Sequence, residues 1–241
     1  MLQFRFIKWR SLLRLRCYWL TAALAAVCLP STSHAEPVTY FYSDLPPYEF
    51  SNPQGQAEGI GIDQVRKVLT AAGFQPDFRF YSLQRGLNAL QQDIDFTTVV
   101  APSGQQTQQF HLSRLPVYAV ELGVVRLRST KRMSYLSQLQ HYPYLALSET
   151  RFTFLQQRPE LAAFAVKRYD ISNQPDAFRL LLSGRYDYFL CYHASEMALA
   201  NPMLVFDPLE QLPVHLVLSR QHAEAGHLMQ RVDAVLARPL Q

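Results

Sequence analysis

The pattern of apolar and polar positions in the first half of the chain alternates between strand-like and helix-like segments. Residues 38–42 are rich in β-branched and aromatic side chains and predict a strand, which the prolines of the following loop end. Apolar residues then recur at helical spacing over 62–72, and Gly73 suits the position beyond the last turn. Further segments predict a strand at 77–81, a helix at 83–91 and a buried strand at 94–100.

The second half repeats this alternation. Residues 90–96 and 182–188 both pass from an apolar helix end through a polar turn to an Asp and an aromatic strand, so the same helix-turn-strand unit is predicted twice. The remaining pattern predicts strands at 120–127, 144–147, 164–169, 186–192, 203–206 and 214–218, and helices at 134–140, 150–157, 176–182 and 228–236.

The order of these elements predicts an α/β fold of two lobes, each a mostly parallel sheet flanked by helices. We assign residues 36–120 plus 207–241 to lobe 1 and residues 121–206 to lobe 2. The chain then crosses between the lobes near Val120 and near Phe206. No Gly/Ser-rich linker lies at either crossing, which favours short hinges over a flexible tether.

Residues 1–35 have the composition of a secretory signal peptide. A basic leader precedes an apolar run at 17–29, and small residues end at Ala35, where we predict cleavage and hence a periplasmic protein. The apolar run is too short for a membrane span, which needs about 20 residues. Val27 makes Cys28 a poor site for lipid attachment. The leader cations are Arg5, Lys8, Arg10, Arg14 and Arg16.

The charge balance and the cysteine content argue against a nucleic-acid-binding protein and against a protein stabilised by an internal disulfide. Removing the five leader cations from the total of 23 leaves 18 basic residues against 19 acidic ones, so the mature chain lacks the positive charge of a nucleic-acid-binding protein. After cleavage Cys191 is the remaining cysteine, which rules out an intramolecular disulfide. We therefore expect stability to come from packing, and Cys191, inside an apolar strand, to be an inert thiol.

Five short motifs resemble those of the family 3 periplasmic solute-binding proteins, the receptors of polar amino-acid ABC importers. Their order and spacing cover nearly all of residues 38–237. The resemblance implies a type II periplasmic-binding-protein-like fold, a monomer without cofactor, capture of an amino-acid-like solute between the lobes, and delivery to a membrane permease. The motifs are Pro46-Pro47-Tyr48-Glu49-Phe50, Gly59-Ile60-Gly61-Ile62-Asp63, Ala89-Leu90 to Asp95, Leu112-Ser113-Arg114-Leu115-Pro116-Val117-Tyr118 and Gly184-Arg185-Tyr186-Asp187.

Two departures from the family pattern concern the ligand. The resemblance implies an Arg within residues 103–109 to hold a ligand carboxylate, and none is present. It also implies an Asp at position 192 to meet the ligand ammonium, and this chain has Tyr192. These departures disfavour an ordinary α-amino acid zwitterion. The ligand is then less charged, more aromatic or held by other residues.

Ligands of such folds bind outside the carboxyl ends of the strands, so residues after predicted strands are the candidate ligand contacts. The aromatic candidates can stack on a ring, and Arg85 can replace the missing clamp, although Tyr48 packed under its prolines and Arg85 as a solvated residue are equally consistent with the pattern. Ser103 offers neutral hydrogen bonds, and the resemblance implies a ligand contact for Thr150, which Arg151 follows. The candidates are Tyr42, Asp44, Tyr48, Arg85, Ser103, Thr150, Arg151 and Tyr192.

The chain lacks the motifs of common enzymes. No nucleophile elbow, phosphate-binding glycine loop or dinucleotide fingerprint occurs, and His193 with Glu196 provides too few ligands for a metal. We therefore expect a binding protein with no metal. Two alternatives stay open: a periplasmic sensor or adaptor that docks on a membrane signalling protein, and a dehydratase-type enzyme on the same fold that uses Asp44 or Glu49.

Overall fold

The computed structural model describes residues 35–90, 94–102, 108–147, 167–193 and 200–238, all within the compact unit Ala35–Gln241. The predicted helix at 150–157 and the first part of the predicted strand at 164–169 lie outside these ranges. The strands are β1 (Glu36–Tyr42), β2 (Phe50–Ser51), β3 (Ala57–Glu58), β4 (Phe74–Phe80), β5 (Phe96–Val100), β6 (Phe110–Leu112), β7 (Tyr118–Leu127), β8 (Tyr144–Leu147), β9 (Arg168–Ile171), β10 (Tyr188–Tyr192) and β11 (Leu204–Ser219). The α-helices are α1 (Ile60–Ala71), α2 (Leu83–Ala89), α3 (Gln174–Leu182) and α4 (Ala225–Leu236), and a 3₁₀ helix spans Leu136–His141.

Nine of the described strands form one sheet with two parallel flanks and an antiparallel centre. Strands β4, β1 and β5 pair in parallel at one end, and β10, β8 and β9 do so at the other. Between them, β11 and β7 run antiparallel to each other and to their neighbours. The alternating pattern of the sequence therefore predicts both parallel flanks correctly.

Two long strands connect the flanks. β7 and β11 pair from Leu127 with Leu204 to Tyr118 with Val214, and β7 also pairs with β10 while β11 pairs with β5. The prediction of two separate strands, at 203–206 and 214–218, is wrong, because β11 is one continuous strand of 16 residues. Pro208 is tolerated inside it since the register shifts there, between Pro208 and Glu210.

The helices pack on the sheet as their periodicity predicts. α1 buries Ile62, Val65 and Leu69, and it meets α4 in a cluster that also contains Phe74 of β4 and Phe96 of β5. α3 packs on the other flank. Gly73 follows α1 with φ +83°, the left-handed conformation expected beyond a helix end. The helix predicted at 134–140 is the 3₁₀ helix, displaced by two residues at its start.

Candidate functional site

A cavity of about 370 Å³ lies where the carboxyl ends of the two parallel flanks meet. One wall follows β1 and β4, and the other follows β8 and β9 and includes the start of α3. The position therefore matches the crevice outside the strand ends at which open α/β sheets bind ligands. The lining residues are Ser43, Asp44, Leu45, Pro46, Phe80, Tyr81, Ser82, Leu147, Ser172, Asn173, Gln174 and Pro175.

The first wall combines one carboxylate with two aromatic rings. Asp44 is exposed in the loop after β1. Among the described residues that line the cavity, it is the one with a charged side chain. Phe80 ends β4 with 54% of its surface exposed, which is high for a large apolar side chain, and Tyr81 follows it. A carboxylate beside an exposed aromatic ring attracts a cationic or N–H-rich ligand group through charge and through the ring face.

The second wall is neutral and polar. Asn173 is the N-cap of α3, and its side-chain oxygen accepts a hydrogen bond from the Asp176 N–H at 2.9 Å. Pro175 occupies the first turn of α3. Backbone N–H groups in the first turn have no partner within the helix, so the N–H that proline lacks costs no helical hydrogen bond. Ser172 and Gln174 add a hydroxyl and an amide to this wall. These groups can hydrogen-bond a ligand without requiring it to carry a charge.

Tyr48 attaches the loop after β1, which contains Asp44, to strand β7. Its ring stacks on Tyr118 at 6.1 Å between centroids and 16° between planes, and its hydroxyl accepts a hydrogen bond from the Glu121 N–H at 2.9 Å. Tyr48 is 6% exposed. The first wall is thus bound to one of the two strands that connect the flanks.

Glu49, the next residue, is buried in a cluster of hydroxyl groups. Its Oε1 accepts hydrogen bonds from the hydroxyls of Tyr40 at 2.6 Å, Thr98 at 3.0 Å and Tyr118 at 2.9 Å. Burial first, and then the charge of Glu49, raises the pKa of both tyrosines well above the ordinary value of 10.0, so both phenols stay protonated donors at neutral pH. The cluster joins β1, β5 and β7 beneath the loop.

Of the predicted ligand contacts that the structure describes, Asp44 lines the cavity. Tyr42 is 2% exposed and shares a hydrogen bond of 2.9 Å with Ser51, and Tyr192 is 4% exposed inside β10. Arg85 is exposed on α2.

The other three candidates, Ser103, Thr150 and Arg151, lie outside the described residues. Phe80, Tyr81 and residues 172–175 also line the cavity and were not among the predicted contacts, although they lie at strand ends, the same feature that singled out Asp44.

Cys191, in β10, and His193, just after it, are chemically reactive residue types whose contacts indicate structural roles. Burial raises the pKa of the Cys191 thiol far above its ordinary value, which keeps it protonated. His193 follows the strand with its Nδ1 3.1 Å from a carboxylate oxygen of Glu121. Within the described ranges, no three His, Cys, Asp or Glu side chains are grouped as a metal site requires, and Glu196 lies outside those ranges.

The comparisons with known proteins define the fold. No protein-family model and no curated protein matches the chain. A solved histidine kinase sensor domain with similarity to periplasmic binding proteins matches with a TM-score of 0.67 and 19% identity, over 85% of this chain and 90% of that one. The arginine-bound truncated ArgBP from T. maritima matches with a TM-score of 0.62 and 18% identity, over 85% and 96% of the two chains. An ancestral arginine-binding protein bound to arginine matches with a TM-score of 0.63 and 18% identity, over 85% and 92%.

These likenesses show that the chain has a two-lobe, type II periplasmic-binding-protein-like fold. The matched proteins are solute-binding proteins and a sensor domain. Among the described residues, no helix has both the length and the apolar character to cross a membrane.

Proposed function

We propose that the chain is a periplasmic solute-binding protein of the family 3 type, which captures a small polar or aromatic solute between its lobes. The observation that supports this most is the position of the cavity, between the carboxyl ends of two parallel flanks. Its volume of about 370 Å³ suits a ligand of amino-acid size. The proposed lobes are residues 36–120 plus 207–241, and residues 121–206.

The lining residues favour a ligand with a cationic or N–H-rich group. Asp44 and the exposed ring of Phe80 share one wall, while Asn173 and Gln174 offer hydrogen bonds from the other. The arginine bound by ArgBP carries such a group at its guanidinium. The absence of an Arg from 103–109 points to a ligand whose carboxylate, where it has one, is held by other residues.

Capture requires that the ligand contact both walls. A ligand bridging Asp44 and Asn173 stabilises the closed arrangement of the lobes by the difference between its affinities for the closed and open states. The closed form would then be presented to a membrane permease. In such folds the lobes move about the strands that connect them, which here are β7 and β11.

A sensor or adaptor role is the second candidate. It is favoured by the match to a histidine kinase sensor domain, whose TM-score is 0.67. In this role the same lobes dock on a membrane signalling protein. A stable complex with such a partner that forms regardless of any small molecule favours this role over transport.

Thermal unfolding of the unit Ala35–Gln241 against amines, amino acids, organic acids, sugars and aromatic metabolites tests the proposal. A ligand of the folded state at a hundredfold excess over its Kd raises stability by about 2.7 kcal/mol. We expect cationic compounds to give the shift, and Asp44→Asn to reduce it. Asp187→Asn, which removes an exposed carboxylate outside the cavity lining, is the matched control. No shift across the panel would refute solute capture and leave the sensor role.

A further inference from the structure

The loop after β7 exposes three cations within five residues. Arg128, Lys131 and Arg132 are all exposed, and we call residues 128–132 the basic loop. The mature chain as a whole carries 18 basic and 19 acidic residues, so this concentration of positive charge is local. The loop and the cavity lie at opposite ends of β8.

A buried ion pair holds the backbone of the basic loop in place. Arg126 binds Asp207 through two hydrogen bonds, of 2.6 and 3.1 Å, and its third nitrogen donates to the carbonyl oxygens of Leu127 at 3.1 Å and Thr130 at 2.8 Å. Asp207 accepts a further bond of 2.9 Å from the Met133 N–H. The buried side chains of Arg126 and Asp207 therefore fix both ends of the loop through its backbone groups.

The cations of the basic loop are poorly neutralised. In the described part of the chain, neither Arg128 nor Lys131 forms an ion pair, and Arg132 reaches only 4.0 Å from Asp207, which Arg126 already binds. Arg128 instead donates to the neutral carbonyl of Pro202 at 3.2 Å.

Nearby charges do not cancel this excess. Arg185 and Asp187 in the turn before β10 offset each other, and Lys167 before β9 adds a cation at the same edge of the sheet. Among the described residues, the charges at this edge are therefore positive on balance.

Two exposed apolar side chains border the loop. Met203 is 56% exposed, and its carbonyl accepts a hydrogen bond from the Arg128 N–H at 2.7 Å. Tyr135 is 69% exposed, just before the 3₁₀ helix. Tyrosine and long basic side chains each combine an apolar body with a polar end, a combination that suits the boundary between water and lipid.

The strand register places this surface on the side opposite the cavity. Tyr188 pairs with both Arg126 and Tyr144, so the basic loop lies at the amino ends of β8 and β10. The cavity instead lies beyond the carboxyl end of β8, at Leu147. A flat partner bound at the basic loop therefore leaves the cavity open to solvent.

We propose that the basic loop, with Tyr135 and Met203, binds the headgroup layer of an anionic phospholipid membrane. The negative surface potential of such a membrane attracts each exposed Lys or Arg. This attraction requires no fixed partner geometry, which suits cations on an exposed loop. Exposed apolar side chains among the cations favour lipid over an acidic protein surface, which would offer them no apolar layer. The proposal is independent of solute binding in the cavity.

Vesicle cosedimentation of the unit Ala35–Gln241 tests the proposal without interference from the basic leader. We expect binding to vesicles of phosphatidylglycerol and phosphatidylcholine in equal parts, none to phosphatidylcholine alone, and release by added salt. The triple variant Arg128→Gln, Lys131→Gln and Arg132→Gln should bind about 100-fold more weakly, since each cation contributes roughly fivefold. The matched control is Arg66→Gln, Lys67→Gln and Arg79→Gln, which removes three exposed cations from the other flank and should bind like the unaltered protein.

Two further measurements keep the test decisive. Thermal unfolding should show the triple variant folded, because the buried pair of Arg126 and Asp207 is unaltered. Absence of binding by the unaltered protein at low ionic strength, or an equal loss in the control variant, overturns the proposal. A third result would also overturn the proposal: the unaltered protein binds soluble polyglutamate but not anionic vesicles, and the triple variant loses the binding to polyglutamate. That result would assign the loop to an acidic protein surface.

Discussion

The pair of Arg126 and Asp207 offers the sharpest test of what holds β7 against β11. Replacing Arg126 by Met keeps much of the side-chain volume and removes the charge. Asp207 is then left as a carboxylate that is 6% exposed, with the Met133 N–H and Arg132 at 4.0 Å as its remaining described partners. The carbonyl oxygen of Thr130 loses its guanidinium donor as well, whereas that of Leu127 keeps the hydrogen bond of 3.0 Å from the Thr130 N–H.

The expected cost follows from burial. Removing one member of a buried ion pair costs about 3–5 kcal/mol, because the other charge stays without compensation in a poorly solvated site. A domain of this size shifts its Tm by roughly 2–4 °C for each kcal/mol, so a cost of about 4 kcal/mol lowers Tm by about 8–16 °C. Total stabilities of roughly 5–15 kcal/mol leave the variant folded but marginal.

The assay is a double-mutant cycle by urea unfolding of Arg126→Met, Asp207→Leu and the double variant. Each single change should cost about 3–5 kcal/mol, while the double variant should recover most of it, since an apolar pair of similar volume replaces a buried ion pair at little net cost. Arg66→Met, at an exposed ion pair with Asp63, is the control and should change stability by less than about 1 kcal/mol. A cost below about 1 kcal/mol for Arg126→Met, or costs that simply add, would refute the reasoning.

Three further predictions concern packing and ionisation. Gly123→Ala should destabilise by about 1–3 kcal/mol in urea unfolding, because its Cβ would lie 2.3 Å from the backbone oxygen of Asp207, whereas Gly226→Ala, with open space around it, should not. The raised pKa of Tyr40 and Tyr118 means that their contribution to stability is present below the ordinary value of 10.0 and is lost as pH rises through their folded values. The unfolding free energy should therefore fall above pH 10.0, and fall less steeply in Tyr118→Phe, which has one such group fewer. Cys191 should resist iodoacetamide in the native unit at neutral pH and react after denaturation, as followed by intact mass; rapid native alkylation would contradict its burial.

The sequence predicts the parallel flanks well because hydrophobic periodicity reports directly on burial. α1 is found from its apolar spacing, and the structure buries those same positions. The predicted start of β4 is wrong: the strand begins at Phe74, three residues before the predicted start, and it contains Pro76. β4 is an edge strand of the sheet, where a residue without an N–H is tolerated.

The site was harder to predict because the exposure of a side chain changes abruptly where a strand ends and a loop begins. Tyr42 and Asp44 are two residues apart, yet one is the buried last residue of β1 and the other is exposed in the loop after it. Phe80 was missed because the predicted strand ended one residue later, at 81, which made Phe80 look like an interior position. No spacing rule shows which strand ends from distant parts of the chain share a wall.

The anchoring of the first wall bears on how the proposed closure would work. The loop with Asp44 is tied to β7 through Tyr48, whose hydroxyl accepts a hydrogen bond from the Glu121 N–H, so we expect this wall to move together with that part of β7. The second wall reaches β7 through β8 and β10, which pairs with β7 from Leu122 to Arg126. Both walls are thus attached to neighbouring parts of one strand, and in the proposed closure a twist of β7 against β11 brings them together. The irregular register of β11 at Pro208, opposite Gly123, lies within that stretch, where the backbones approach closely and a side chain at Gly123 would not fit.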